Sequence, residues 1–126
     1  MNIKLIKKDN VEIRDFGQGL TLSILLDKIT GAKNLDLGTV RIPAKSATAM
    51  HVRDFEEVIY MIEGQGKVKT ESGEEYTLHK GDCILIPPGV KHCHANDSEK
   101  ELEQLYIFAP QANEEIQKSL RDLPIK

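Results

Sequence analysis

Short apolar runs alternate with polar residues along most of the chain, and they end at glycine, asparagine or aspartate. A period of two along a run predicts a β-strand. The predicted strands are Asn2 to Lys7, Val11 to Phe16, Leu20 to Lys28, Leu35 to Ile42, His51 to Ile62, Gly66 to Thr70, Glu75 to His79, Cys83 to Ile86, Val90 to Ala95 and Leu102 to Phe108. Many short strands separated by turns favour a sandwich or a barrel, so we predict an all-β fold.

The C-terminal segment has a different pattern, which predicts a short helix over about residues 113–121. Asn113 is a suitable N-cap and two glutamates follow it in the first turn. Ile116 and Leu120 then form an apolar pair four residues apart. We expect this helix to pack on the outside of the barrel.

Length and charge limit the classes of partner. A chain of 126 residues fits one domain with a real core, so we predict a single domain over residues 1–126. The 17 basic and 20 acidic residues give a net charge of -3, and basic residues do not cluster with aromatic ones. Nucleic acid is therefore not an expected partner.

The sequence also shows no pattern typical of an export signal or a membrane span. The first residues contain no long apolar run, and no stretch approaches about 18 apolar residues. We expect a cytoplasmic protein that does not interact with membranes, with Cys83 and Cys93 both reduced.

Two histidines follow a sharp bend and are candidates for chemistry. Pro87, Pro88 and Gly89 predict a corner between two short strands, and His92 and His94 come just after it. In an extended strand these two side chains project from the same face.

A second group of candidates lies upstream. If residues 51–57 are extended, then His51, Arg53, Phe55 and Glu57 share one face. Histidine and carboxylate ligands with open positions are typical of non-heme iron(II) sites and of catalytic zinc sites. The pattern therefore predicts a divalent metal (Fe, Mn, Ni, Co or Zn) without selecting one.

These two segments resemble the paired motifs of the cupin superfamily. The second motif runs from Gly81 through Pro87, Gly89 and His92 to Asn96, and it matches the family pattern at every fixed position. In the first motif His51, Glu57 and Gly64 fall in register. Lys45 replaces its first glycine, and Arg53 replaces its second histidine.

The resemblance implies a double-stranded β-helix, or jelly-roll, barrel with a core over about residues 35–109 and N-terminal strands over 1–28. It also implies that His51, Glu57 and His92 are metal ligands. His94 faces the same way as His92 and is a candidate for the ligand that is missing at Arg53.

Arg53 has two possible roles, because a buried guanidinium needs an anionic partner. It either binds an anionic group of a substrate, or it forms an ion pair with Glu57 in a pocket without metal. Tyr106 on the last strand either lines the same pocket or fills the core.

The resemblance to small cupins leaves three functions open. The first is a metal-dependent enzyme acting on a small polar, anionic molecule, of the dioxygenase, decarboxylase, isomerase or lyase type. The second is a binding or sensing protein without turnover, and the third is a metal-free pocket with the Arg53 to Glu57 pair. A homodimer is expected, because N-terminal edge strands need to be covered.

Overall fold

The computed structural model describes residues 2–126 as an all-β barrel with one C-terminal helix. The strands are β1 (Arg14–Gly17), β2 (Leu20–Leu26), β3 (Asp36–Ile42), β4 (Ser46–Ala47), β5 (Glu56–Glu63), β6 (Gln65–Thr70), β7 (Glu75–His79), β8 (Cys83–Ile86), β9 (His92–Asn96) and β10 (Leu102–Ala109). The helix α1 spans Glu114–Arg121, and a 3-10 turn spans Lys8–Asn10. The predicted fold class is confirmed.

The strands form two antiparallel sheets that face each other across the core. The larger sheet has six strands in the order β1-β2-β3-β10-β5-β8, and the smaller has four in the order β4-β9-β6-β7. Ile59 and Met61 of the larger sheet and Val68 and Leu78 of the smaller one belong to one buried cluster. Any residue on an inward face therefore meets residues of the other sheet.

Alternation along β10 explains which side chains reach this interior. Every second residue of the strand is buried and the residues between are half-buried. The inward residues are Leu102, Gln104, Tyr106 and Phe108. Gly38 of β3 lies opposite Tyr106, and a Cβ atom there would come within 2.5 Å of the tyrosine hydroxyl. Glycine is therefore needed for the Tyr106 ring to lie inward.

Asn96 holds the connection between β9 and β10. Its amide nitrogen donates to the carbonyl oxygens of Ile42 at 2.9 Å and Lys100 at 2.8 Å. Its amide oxygen accepts from the backbone N–H of Ser98 at 3.0 Å. The side chain is fully buried, so these bonds satisfy a polar group that would otherwise be costly.

The N-terminal segment differs from its prediction. Residues 2–7 are not a strand, and the side chains of Ile3 and Leu5 are exposed. The C-terminal residues pair beside β1, through an Arg14 to Ile125 bridge and a bond from the Lys126 N–H to the Ile13 carbonyl. The predicted strand at Asn2 to Lys7 is therefore wrong. Met1 lies outside the described residues.

The predicted strand from His51 to Ile62 is also shorter than expected. β5 begins at Glu56, and residues 52–55 cross from the smaller sheet to the larger one. His51 makes an isolated bridge with His92, in which each backbone N–H donates to the other residue's carbonyl.

The C-terminal helix begins where the sequence predicts. The side chain of Asn113 caps it by accepting the N–H of Ile116 at 3.0 Å. Near its other end, Arg121 donates two hydrogen bonds of 2.8 Å to the buried carboxylate of Asp27, which follows β2. Among residues 2–126, no helix has the length and apolarity needed to cross a membrane.

Asp27→Asn tests this helix anchor. Burial alone raises the pKa of the Asp27 carboxyl, but the hydrogen bonds from Arg121 and the Thr30 N–H outweigh burial and hold that pKa below 3.8. The contribution to stability is therefore present at neutral pH and is lost as pH falls below the ordinary pKa. We expect the free energy of unfolding to drop by about 2 kcal/mol at pH 7.

Urea unfolding of native and Asp27→Asn protein at pH 7 and at pH 3 measures this effect, and the difference should shrink at pH 3. Glu114→Gln is the control, because the pair between Lys28 and Glu114 is exposed to solvent. An equal difference at both pH values would contradict the assignment.

Candidate metal centre

The central acidic group of the barrel is the carboxylate of Glu57, which is buried. Its strand pairs with β8 at Ile86 on one side and with β10 at Phe108 on the other. This register turns Glu57 inward, while the neighbouring Glu56 is exposed. The alternation rule therefore selected the correct glutamate of the two.

Three imidazole rings reach this carboxylate from the opposite sheet. His92 and His94 lie on β9 and are buried, and His51 is bridged to His92. The Nε2 atom of His94 lies 2.7 Å from Oε2 of Glu57. The Nε2 atoms of His92 and His51 lie 3.2 and 3.6 Å from Oε1.

These four side chains are arranged as a set of metal ligands would be. One ligand atom from each of His51, Glu57, His92 and His94 lies within 4.8 Å of the other three. The sequence placed all four on inward faces, and the structure brings all four together.

Backbone carbonyls determine which ring nitrogen carries the hydrogen in two of the histidines. Nδ1 of His92 lies 2.8 Å from the carbonyl of Val90, and Nδ1 of His51 lies 3.1 Å from that of Ala49. A carbonyl oxygen only accepts, so both Nδ1 atoms must donate. In a neutral ring the Nε2 atom then has a lone pair, and it faces a carboxylate that also only accepts. A proton or a metal cation is needed between them.

The pKa values of the cluster follow from this close packing of an acid and three bases. Burial alone raises the pKa of the Glu57 carboxyl, but hydrogen bonds from His51, His92 and His94 outweigh it and hold that pKa far below its usual range. Burial lowers the pKa of His92, but its bonds to Glu57 and to the Val90 carbonyl raise it overall. The centre is therefore anionic at Glu57 and attracts positive charge.

His94 differs from the other two histidines. Burial lowers the pKa of His94 even though Glu57 opposes that shift. Its Nδ1 atom has no hydrogen-bond partner among residues 2–126. Its backbone N–H donates to the Oγ1 atom of Thr48 at 2.9 Å, which holds the strand rather than the ring.

Arg53 lines the same cavity but does not pair with the carboxylate. Among residues 2–126, Glu57 has ion-pair contacts only with the three histidines. The Nε atom of Arg53 is buried and has no hydrogen-bond partner in the described part of the chain. The predicted alternative in which Arg53 and Glu57 close the pocket is therefore not formed, and the guanidinium is left without an anion.

The cavity beside the cluster is small, with a volume of about 80 Å³. Its wall is mostly apolar, and the polar members besides the cluster include Thr48, Arg53 and Gln104. A groove of about 550 Å³ adjoins it at Phe16, Thr48, His51 and Arg53, and this groove continues along the turn between β1 and β2. A small inner space thus opens into a larger outer one.

Tyr106 both lines this cavity and belongs to the core, so the two expectations for it are compatible. Burial, with smaller effects of Asp36 and Asp27, raises the pKa of Tyr106 well above its usual value. The hydroxyl therefore stays protonated and is available as a donor rather than a base.

The sequence interpretation missed Gln104 and Thr48. Both line the cavity, yet neither lies in a recognisable motif. Gln104 has the same parity as Tyr106 and Phe108 on the last strand, and that parity was the one signal that would have found it.

Comparison with known proteins agrees with this geometry. The family profile described as "Cupin domain" matches residues 38–108, which is more than half of the chain. An uncharacterized protein of Methanocaldococcus jannaschii is 28% identical over 96 residues, which are 73% of this chain and 76% of that protein. An acireductone dioxygenase of Tuber melanosporum is 29% identical over 62 residues, 46% of this chain, and the match spans only 36% of the dioxygenase.

Among solved structures, the polyketide cyclase RemF from Streptomyces resistomycificus is similar to this chain. The superposition has a TM-score of 0.78 and covers 88% of this chain and 82% of RemF. The two sequences are 20% identical, so this similarity concerns the fold.

Proposed function

The chain belongs to the cupin domain family, and on that basis we propose that it is a metal-dependent cupin acting on a small, polar, anionic molecule. His51, Glu57, His92 and His94 would hold one divalent ion of iron, manganese, nickel, cobalt or zinc. The observation that carries this proposal is the convergence of one ligand atom from each of the four side chains within 4.8 Å, around a carboxylate that needs a proton or a metal cation between it and the ring nitrogens. When bound, such an ion supplies Lewis-acid chemistry to a carbonyl, enol or bound oxygen.

The protein's own residues bind and orient the substrate. The guanidinium of Arg53 binds the anionic group, since its Nε–H has no partner among residues 2–126. Tyr106, which also lines the cavity, donates a hydrogen bond, because its high pKa keeps the hydroxyl protonated. The apolar remainder of the wall excludes water from the reacting group.

The reaction type we propose is that of a dioxygenase, decarboxylase, isomerase or lyase. Similarity to an acireductone dioxygenase over 62 residues supports the first of these. A divalent ion held by the four clustered side chains would stabilise negative charge that develops on a substrate oxygen, and Arg53 would bind the anionic group in the same small cavity.

The outer face of the larger sheet gives a second reason to expect a homodimer. The cross-strand register aligns one apolar row over five strands, with Leu85, Val58, Ile107, Leu37 and Leu26 as neighbours. The outer face of an antiparallel sheet is normally polar where it meets water. We propose that a second copy of the chain covers this face through a two-fold axis.

The metal proposal predicts near-stoichiometric metal in the native protein and its loss on truncation of one ligand. His92→Ala and His94→Ala should each lower metal affinity by at least tenfold, because each removes one donor and leaves Glu57 under-compensated. Elemental analysis of untagged protein, before and after reconstitution with each of the five ions, measures this. His79→Ala is the control, because that ring is exposed and outside the cluster. Native protein that takes up no metal would refute the proposal.

The role of Arg53 predicts a defect in anion binding without a defect in metal binding. Arg53→Met should weaken binding of propionate and of glycolate to zinc-loaded protein by about 10-fold to 100-fold, because a charge-assisted hydrogen bond is lost. Isothermal titration calorimetry measures both affinities. Arg41→Met is the matched control, because Arg41 points outward and pairs with Glu101 and Glu103. Equal affinities in the native protein and the Arg53 variant would exclude this role.

The dimer proposal predicts a change of mass when charge is placed on the apolar face. Tyr60, which is 44% exposed on this face, is replaced by lysine, and we expect the dimer to dissociate. Tyr76→Lys is the control, because Tyr76 is 46% exposed but lies on the smaller sheet. Light scattering after size-exclusion chromatography gives the mass, and a monomeric native protein would disprove the dimer.

A further inference from the structure

Gln104 is a buried residue whose side-chain amide lines the inner cavity. Its side chain is 4% exposed and lies on the wall of the inner cavity. No side-chain hydrogen bond of Gln104 occurs within residues 2–126, whereas Asn96, the other buried amide, donates two and accepts two. The carboxylates of Asp27 and Asp36 are likewise fully engaged, with Arg121 and with Gln117.

An amide that bonds no protein group destabilises a protein unless water or a ligand in the adjoining cavity bonds it. The cross-strand partners of Gln104 are Val40 of β3 and Met61 of β5, and both are apolar. A methionine or leucine would suit this environment better on grounds of packing alone. The presence of the Gln104 amide is therefore explained by a ligand that enters the cavity and bonds it.

We propose that Gln104 determines substrate specificity, by hydrogen-bonding a hydroxyl or carbonyl group on the part of the ligand that enters the inner cavity. This inference rests on the proposed function, in which Arg53 binds the anionic group of the same molecule. Arg53 recognises charge, and Gln104 recognises an uncharged oxygen beside it.

The two adjoining spaces define the size of the molecule. The inner cavity of about 80 Å³ holds a head group of a few heavy atoms, because one water molecule already takes about 30 Å³ of liquid. The outer groove of about 550 Å³ accepts the rest of the molecule. The substrate is thus a molecule whose compact acid group, with a hydroxyl or carbonyl beside it, enters the inner cavity while the rest lies in the outer groove. A small acid with these groups is therefore a sufficient probe.

The first test uses stability and needs no ligand. Gln104→Met keeps the length of the side chain and removes the unpaired amide, so we expect the melting temperature of the metal-loaded protein to rise by about 4 °C. Asn96→Met is the contrasting variant and should lower the melting temperature, because its amide is fully bonded. A lower melting temperature for Gln104→Met would show that Gln104 is a structural residue and would overturn the proposal.

The second test uses two probes of nearly equal size, glycolate and propionate, which differ in one hydroxyl group. Native zinc-loaded protein should prefer glycolate, and the ratio of the two affinities should fall about tenfold in Gln104→Met. Direct contact of the hydroxyl with zinc contributes equally in both proteins and cancels in this comparison. The same ratio in both proteins, or no binding of glycolate to the native protein, would overturn the proposal.

Elemental analysis of both proteins separates this inference from the proposed function. Equal zinc content with an unchanged affinity ratio would reject the role of Gln104 and leave the metal site intact. Native protein without zinc would reject the metal site itself, and the melting temperatures of the metal-free proteins would still decide whether the Gln104 amide is bonded within the chain.

Discussion

The buried negative charge of Glu57 is the constraint on which the barrel interior depends. An isolated carboxylate in an apolar core is unfavourable by several kcal/mol, so it has to be compensated within the structure. The compensation comes from three imidazoles on the opposite sheet, at distances of 2.7 to 3.6 Å. At this level of the barrel the two sheets therefore contact each other through charged and polar side chains. Elsewhere they contact each other through the apolar cluster that includes Ile59 and Val68.

The parts of the centre that the sequence predicts correctly are those controlled by local geometry. His92 and His94 share a face because strand side chains alternate, and that rule needs no knowledge of the partner strand. The same rule placed His51 with Glu57, although residues 52–55 are a crossing between sheets and not a strand. The crossing bends at residues 54 and 55, so His51 is positioned by its bridge to His92 and not by strand alternation.

The parts that the sequence does not predict depend on contacts between distant segments. The C-terminal residues 124–126, rather than residues 2–7, pair with the edge of β1, and both segments have apolar residues suited to a strand. Periodicity identifies a candidate strand but not the strand it pairs with. Which segment pairs with β1 therefore depends on contacts throughout the fold. Gln104 shares the inward parity of Tyr106 and Phe108, but parity alone does not show that its side chain borders the same cavity as the clustered side chains.

The residues that hold charge and the residues that select a ligand lie on different strands. The cluster is built from β5, β9 and the crossing at His51, whereas Gln104, Tyr106 and Phe108 come from β10. Substitutions on the inward face of β10 alter the cavity and leave the four clustered side chains in place. A barrel of this kind can therefore change its substrate while keeping its centre, which is a physical reason why one fold hosts many activities. Among residues 2–126, the buried Nε atom of Arg53 on the wall of this cavity breaks the rule that buried polar groups are satisfied, and such exceptions are expected where a ligand completes the structure.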